Sequence, residues 1–331
     1  MRGLLRRARR FFRDEARPVI LMYHRVARPA HDPWGLSVSP EHFAAQMAWL
    51  AARRDVLPMA DFVERLQQGT LPRRAAAVTF DDGYVDNLRV AKPILAQLGV
   101  PATVFIATGF IGSRYEYWWD DLARRLLGAK GPVETGVVID AERIAISLPA
   151  ASEDAPLDPA WRAWMPTASW RGTAYAQLWN AIRELDPEGQ QAAIEAVRAA
   201  LPAELPAPAD LPMRQEEVAE LVAGNVISVG AHTVTHPHLT RLPVEGRKEE
   251  IARSRADTAA MAGAAVEGFA YPHGDFDAAT AALVRESGLR WACSTRSAAV
   301  DPAAYDLFDL PRLQVMDWDA SNLADAIASL E

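Results

Sequence analysis

Seven apolar runs punctuate the chain: VILMYHRV (19–26), AAVTFDDG (76–83), ATVFIATG (102–109), VISVGAHT (226–233), GFAYPHG (268–274), WACST (291–295) and LPRLQV (310–315). Each is close to continuously apolar and ends in polar or turn residues. Strands buried on one face alternate. Strands covered on both faces, as in parallel sheets, read as these do. Helical patterns lie between most of the runs. SPEHFAAQMAWLAA opens on a Ser-Pro start signal, and NLRVAKPILAQLG stops at a glycine, with Pro93 set to kink it or to begin a new segment. EEIARSRADTAAMAG and DAATAALVRESG follow the same scheme. Strand and helix repeated about seven times predict an α/β fold with a barrel-like parallel sheet.

One stretch breaks the rhythm. Residues 110–213 carry no clear strand–helix repeat: EYWWDDLARRLLG reads as a helix, GVVIDAERIAISLP as a strand pair and PAELPAPADLP as loop. Asp120 and Asp121 read as a helix start, where the dipole favours carboxylates. Trp161, Trp164, Trp170 and Trp179 cluster here. The segment reads as an insertion between the third and fourth strands, forming a lid or wall on the C-terminal face of a barrel built from 18–109 and 214–331. Its tryptophans are read first as packing residues and second as platforms for sugar rings.

Composition changes this picture little. The formal net charge of −8 argues against a general affinity for nucleic acid. The single cysteine, Cys293, excludes an internal disulfide and a paired-cysteine metal site, and it reads as a core residue. The basic segment 1–17, with seven arginines beside Leu4, Leu5, Phe11 and Phe12, is followed by no apolar stretch of signal-peptide or membrane-spanning length. It reads as a solvated helix of a cytoplasmic protein, with peripheral contact to anionic membrane as the alternative.

Function in parallel α/β folds gathers at the C-terminal ends of strands. Titratable residues recur at those ends on separate runs: His24 on the first, Asp81 and Asp82 on the second, His232 and His236 on the fourth and His273 on the fifth. The H-x3-H spacing of His232 and His236 lets two imidazoles face one ion, and a carboxylate would complete a His2Asp set with open positions. Alone, H-x3-H is a pair of loop histidines and DDG a solvated turn. Together they point to a divalent cation that makes paired carboxylates tolerable, one ligating and its neighbour accepting a proton from water. His31, His42 and His238 have no partner in the sequence pattern and read as surface residues.

TFDDG followed by HTVTH resembles the polysaccharide deacetylase family, also called carbohydrate esterase family 4 or the NodB homology domain. The resemblance covers roughly 18–108 and 225–316. It implies a distorted (β/α)7 barrel that removes acetyl groups from sugars with a divalent metal. It makes Asp81 the general base and Asp82, His232 and His236 the metal ligands, with zinc the expected ion and cobalt, nickel or iron as alternatives. The family's Arg-x-Pro-Tyr motif is AYPHG here, which leaves Ala270 at the arginine position and gives the oxyanion N–H to His273. Arg312, at a neighbouring strand end, is the candidate to orient Asp81. No histidine follows His273, whereas LMYHRV resembles a permuted branch that includes poly-N-acetylglucosamine deacetylases. That makes His24 the expected general acid. The expectation of no export signal points to an intracellular substrate, such as a lipid- or nucleotide-linked saccharide made during envelope polysaccharide assembly, with finished polysaccharide as the alternative. The competing readings are a carbohydrate-binding homologue that has lost turnover, an amidohydrolase acting on a non-sugar amide, and a phospho-acceptor receiver domain, which is much shorter.

Overall fold

The computed structural model describes residues 16–330. Seven strands build the main sheet: β1 (Val19–Tyr23), β2 (Ala75–Phe80), β3 (Ala102–Ile106), β4 (Ile227–Ala231), β5 (Gly268–Ala270), β6 (Trp291–Cys293) and β7 (Leu313–Gln314). All pair in parallel, in the order β6-β5-β4-β3-β2-β1-β7. A short strand, Asp55–Val56, joins beside β2. The two ends of the sheet meet through Leu310. This residue bridges Cys293 in parallel, donating to the Ala292 carbonyl and accepting from the Ser294 amide, and three residues on the chain enters β7. This closure makes the fold a distorted (β/α)7 barrel. Cys293 is a buried core residue at that seam.

Most strands stop short of the polar end of their apolar run, while the seventh run enters the sheet only at Leu313. The DDG of the second run, the HT of the fourth and the PHG of the fifth leave the sheet. The first run breaks at His24, and Arg25–Val26 pairs instead with Ser37–Val38. Two-sided burial explains both features. Strand interiors have no water to solvate a carboxylate or imidazole, so the chain leaves the sheet where these begin. Pro93 starts a segment, as its missing N–H requires: the α-helix Lys92–Leu98 follows a π-helical turn, Asn87–Ala91.

Between β3 and β4 lie the helices Trp118–Leu127, Trp170–Arg183 and Pro187–Ala200 and the antiparallel hairpin Val133–Ile139/Glu142–Leu148. The hairpin turns on Asp140 and Ala141, both at positive φ, as a two-residue loop with native strand twist needs. This unit has a core of its own, with Leu122, Ile146, Tyr175, Leu178 and Val197 at its centre. That core is continuous with Tyr84 and Ala107, which follow the ends of β2 and β3. The insertion therefore sits on the strand C-termini. Asp121, in the first turn of Trp118–Leu127, is held by more than a helix dipole. It is fully buried and ion-paired to Arg124, Arg125 and Arg198 at 2.5, 2.7 and 2.6 Å.

Among the described residues, no helix is long and apolar enough to cross a membrane. Nearly all of the arginine-rich segment 1–17, with the expectations placed on it, lies outside the described residues.

Candidate active site

The loop after β2 carries Asp81 and Asp82, and their adjacency divides them. The amide of Asp81 still bonds to the Tyr23 carbonyl of β1, so its side chain stays with the barrel interior. Asp82 turns away at φ 76°, in the left-handed region that non-glycine residues rarely occupy. Its carbonyl accepts bonds from the Ala107 amide and, at 2.7 Å, from the Tyr117 hydroxyl of the insertion. Two like charges that would repel on one face thus serve two places.

Asp81 is buried against Arg312, which reaches it from the segment leading into β7. The guanidinium bonds both carboxylate oxygens at 2.7 Å, and it also donates to Thr79 Oγ1 and the Ser294 carbonyl. Burial pushes the Asp81 carboxyl up, but Arg312 and His232 outweigh it, and the group lies below the ordinary carboxylate range. Ala270, at the position of the motif arginine, is an apolar residue under the site.

Asp82 has no cationic side chain of that kind. Its Oδ1 is buried without a hydrogen-bond partner, 3.6 Å from His232 Nε2 and 3.4 Å from His236 Nε2. Burial and the neighbouring Asp81 push its carboxyl well up, while burial holds both imidazoles below their usual pKa, so both are neutral. His232 Nδ1 donates to the Ala270 carbonyl at 2.8 Å, which fixes the tautomer and leaves Nε2 as an acceptor. Ligands about 2.0–2.1 Å from a tetrahedral ion lie roughly 3.3–3.5 Å from one another. An orphaned carboxylate oxygen 3.4 and 3.6 Å from two imidazole nitrogens, all three within 4.8 Å of one another, is close to that arrangement and fits a divalent cation. These three residues form a potential ligand set among the described residues.

The HTVTH loop owes its shape to a residue the sequence reading missed. Glu250, buried on the helix Val244–Ala262, accepts from the amides of Val234 and Thr235 and from the Thr235 hydroxyl, at 2.7–3.0 Å. It holds open a turn in which Thr233 and His236 both adopt positive φ. A lone glutamate on a helix exposes no signal of this in sequence.

His24 and His273 line the same cleft, with Asp81, Asp82, His232 and His236. Burial lowers His24 to about 4, against the pull of Asp81, so it does not keep the near-neutral value of a free imidazole. His273 stands at φ 57° in a tight turn whose backbone bonds are donated by Gly274 and Asp275. Gly274 is required: at φ 70°, a Cβ there would sit 2.0 Å from Thr295 Oγ1. His238 is not the surface residue its isolation in sequence suggested. It is largely buried at the cleft and stacks on His273 with ring centres 4.1 Å apart. His42 is exposed and paired with Asp317, and His31 lines a separate cavity.

Aromatic rings form the opposite wall of the cleft, which has a volume of about 360 Å³. Trp119 lies on His236 with centroids 4.9 Å apart, and Trp34, Trp164 and Trp179 extend the wall outward. Trp161 packs in the insertion core and Trp170 faces solvent away from the cleft. Trp34 and Trp119 lie in segments whose pattern says nothing of a cleft, and only the docking of the insertion brings them there.

A family model described as polysaccharide deacetylase matches residues 68–135 and 172–292, more than half of the chain. The chain belongs to the polysaccharide deacetylase family. The family match takes in both flanks of 110–213, wider than the two motifs suggested, and stops short of His24 and Arg312. A curated relative, poly-beta-1,6-N-acetyl-D-glucosamine N-deacetylase of Staphylococcus epidermidis, is 32% identical over 106 residues, 28% of this chain and 37% of that protein. The Staphylococcus aureus protein of the same name is 32% identical over 92 residues, 28% of this chain and 32% of that protein. The chain thus matches about a third of the length of these relatives. Among solved structures, IcaB from Ammonifex degensii superposes with a TM-score of 0.59 at 18% identity, covering 94% of this chain and 97% of that one. The Streptococcus pyogenes deacetylase PplD in complex with acetate superposes with a TM-score of 0.58 at 16% identity, covering 93% and 97%. Likenesses at this identity are likenesses of fold, and this polysaccharide deacetylase barrel shares theirs.

Proposed function

We propose that this protein is a metal-dependent deacetylase that removes acetyl groups from N-acetylated sugar residues of a saccharide. The observation that carries the reading is the pairing of one strand-end aspartate with a buried arginine while its neighbour, unpartnered, faces two neutral imidazoles. Asp82, His232 and His236 would hold the ion, which when bound supplies a Lewis acid for the acetyl carbonyl and an activated water. Asp81, kept ionised and aimed by Arg312, accepts the proton of the attacking water. The His273 N–H donates to the oxygen on which negative charge develops. His24 delivers a proton to the leaving amine. Because it is neutral at pH 7, it must take up that proton during turnover. Residues 110–213 act as the wall that shapes the cleft and selects the saccharide. The names of the staphylococcal relatives favour an N-acetylglucosamine polymer over a small precursor.

Acetate release from N-acetylglucosamine oligomers tests this, measured with and without chelator and after zinc is restored. Release that is lost with chelator and returns with metal is the expected result. No release from N-acetylated saccharides by metal-loaded protein would favour a binding homologue or an amidohydrolase on another amide.

A further inference from the structure

The segment that carries the ligand His236 and the turn that carries the His273 N–H are fastened to each other just beyond the reacting groups. The segment continues from His236 through His238 to Thr240, and the turn Pro272–Gly274 runs into Asp275. The Asp275 carboxylate accepts from the Thr240 amide and from the Thr240 hydroxyl, each at 2.8 Å. His238 covers the His273 ring with the planes 14° apart, and its Nδ1 lies 3.9 Å from Asp275 Oδ2. Arg247, on the helix Val244–Ala262, makes a second tie. One guanidinium nitrogen donates to the Thr240 carbonyl at 2.7 Å and another to the Asp277 carboxylate at 3.0 and 3.1 Å. An ionised acceptor makes such bonds strong and sets direction as well as distance.

The turn requires support from outside. His273 stands at φ 57°, a conformation that a residue with a side chain keeps only where its surroundings impose it. The turn's own bonds run from the Gly274 and Asp275 amides to the Tyr271 and Pro272 carbonyls at 3.0 Å, and neither uses the His273 N–H. The direction of that N–H is therefore set by the backbone around it. A donor to developing charge is effective when it is aimed before the charge appears.

Resting on the deacetylase reading, we infer that Thr240 and Asp275 are positioning residues that lock the His273 N–H in place relative to the ligand set. They act through His273. His236 stands at one end of this brace and His273 at the other, with ring centres 4.5 Å apart.

The test uses zinc-loaded wild type, Asp275→Ala, Asp275→Asn, Thr240→Val and Thr240→Ser. Acetate release from N-acetylglucosamine oligomers gives kcat and KM, and calorimetry gives zinc affinity. Hydrogen exchange at the Gly274 amide, read by NMR and corrected for intrinsic rates, reports opening of the turn without turnover. D275A should lower kcat roughly 10²-fold, the scale of a misplacement of about 1 Å, with KM and zinc affinity within about threefold of wild type. T240V keeps the amide bond and should lower kcat about tenfold, and T240S should recover that loss. D275N keeps one acceptor oxygen and should fall between D275A and wild type. Gly274 exchange should quicken in the same order. Should D275A not fold, T240V and T240S decide on the same readouts. Unchanged exchange in these variants, or faster exchange with unchanged kcat, overturns the brace and leaves the deacetylase reading intact. So does a loss confined to KM or to zinc affinity. Faster exchange in D275A and T240V, in a protein that releases no acetate in any form, supports the brace and refutes that reading.

Discussion

Arg312→Met removes the cation that Asp81 is built around and keeps the volume of the side chain. Both groups are buried, and the guanidinium contacts both carboxylate oxygens at 2.7 Å. Breaking a buried pair by deleting one partner costs about 3–5 kcal/mol, because the surviving charge has lost both water and counter-charge. The Thr79 hydroxyl and Ser294 carbonyl also lose a donor, which moves the expectation to the upper part of that range. D81N/R312M removes the charge as well, so it should recover about 2 kcal/mol or more relative to additivity. Urea unfolding of chelator-treated protein at pH 7, followed by tryptophan fluorescence, measures all four corners of the cycle without metal linkage. The pH dependence supplies an independent sign. In wild type the folded pKa of Asp81 is depressed, so its stabilisation is complete above the unfolded value of about 3.9 and is lost as pH falls through the folded value. In R312M the main opposing influence is gone and burial pushes that carboxyl up, so its contribution is lost as pH rises. The deficit of R312M should therefore shrink between pH 7 and pH 4. A loss below about 1 kcal/mol, an additive double mutant or a deficit that grows toward pH 4 would refute the reasoning.

Replacing Asp82, His232 or His236 by alanine should abolish binding of one zinc ion, measured by calorimetry. Because the Asp82 carboxyl is raised and must ionise to ligate, binding to wild type should release a proton and tighten as pH rises, as titration in buffers of different ionisation enthalpy will report. Histidine 24 is not in the ligand set, so His24→Ala should keep its metal content while kcat falls roughly 10²–10⁴-fold; near wild-type kcat on an N-acetylated saccharide would remove it from the mechanism. Gly274→Ala should cost about 1–3 kcal/mol from its positive φ and the clash with Thr295, and should displace His273, read as lower kcat with zinc affinity retained.

The chain order of apolar and polar residues determined the barrel. Two-sided burial writes a parallel strand as an uninterrupted apolar run, and that run is visible without any partner. The same physics made the site partly legible, because Asp81, Asp82, His232 and His236 stand where apolar runs stop and such groups cannot remain inside a sheet. Even the hairpin in the insertion was visible, as a strand pair around Asp140 and Ala141. Tertiary structure decided the rest. Closure of the sheet through Leu310 places Arg312 against Asp81, 231 positions away in sequence, where the motif arginine is missing at Ala270. Glu250 supports the histidine loop from the helix that follows it, folded back over 15–16 positions, and His238 is a cleft residue because His273 arrives from another strand to stack on it. Likewise Trp34 and Trp119 line one cleft only because residues 110–213 fold onto the strand ends. Periodicity records burial, which is a property of each residue's own surroundings. Pairing across the barrel depends on loop paths and closure, and those leave no local pattern for a sequence to display.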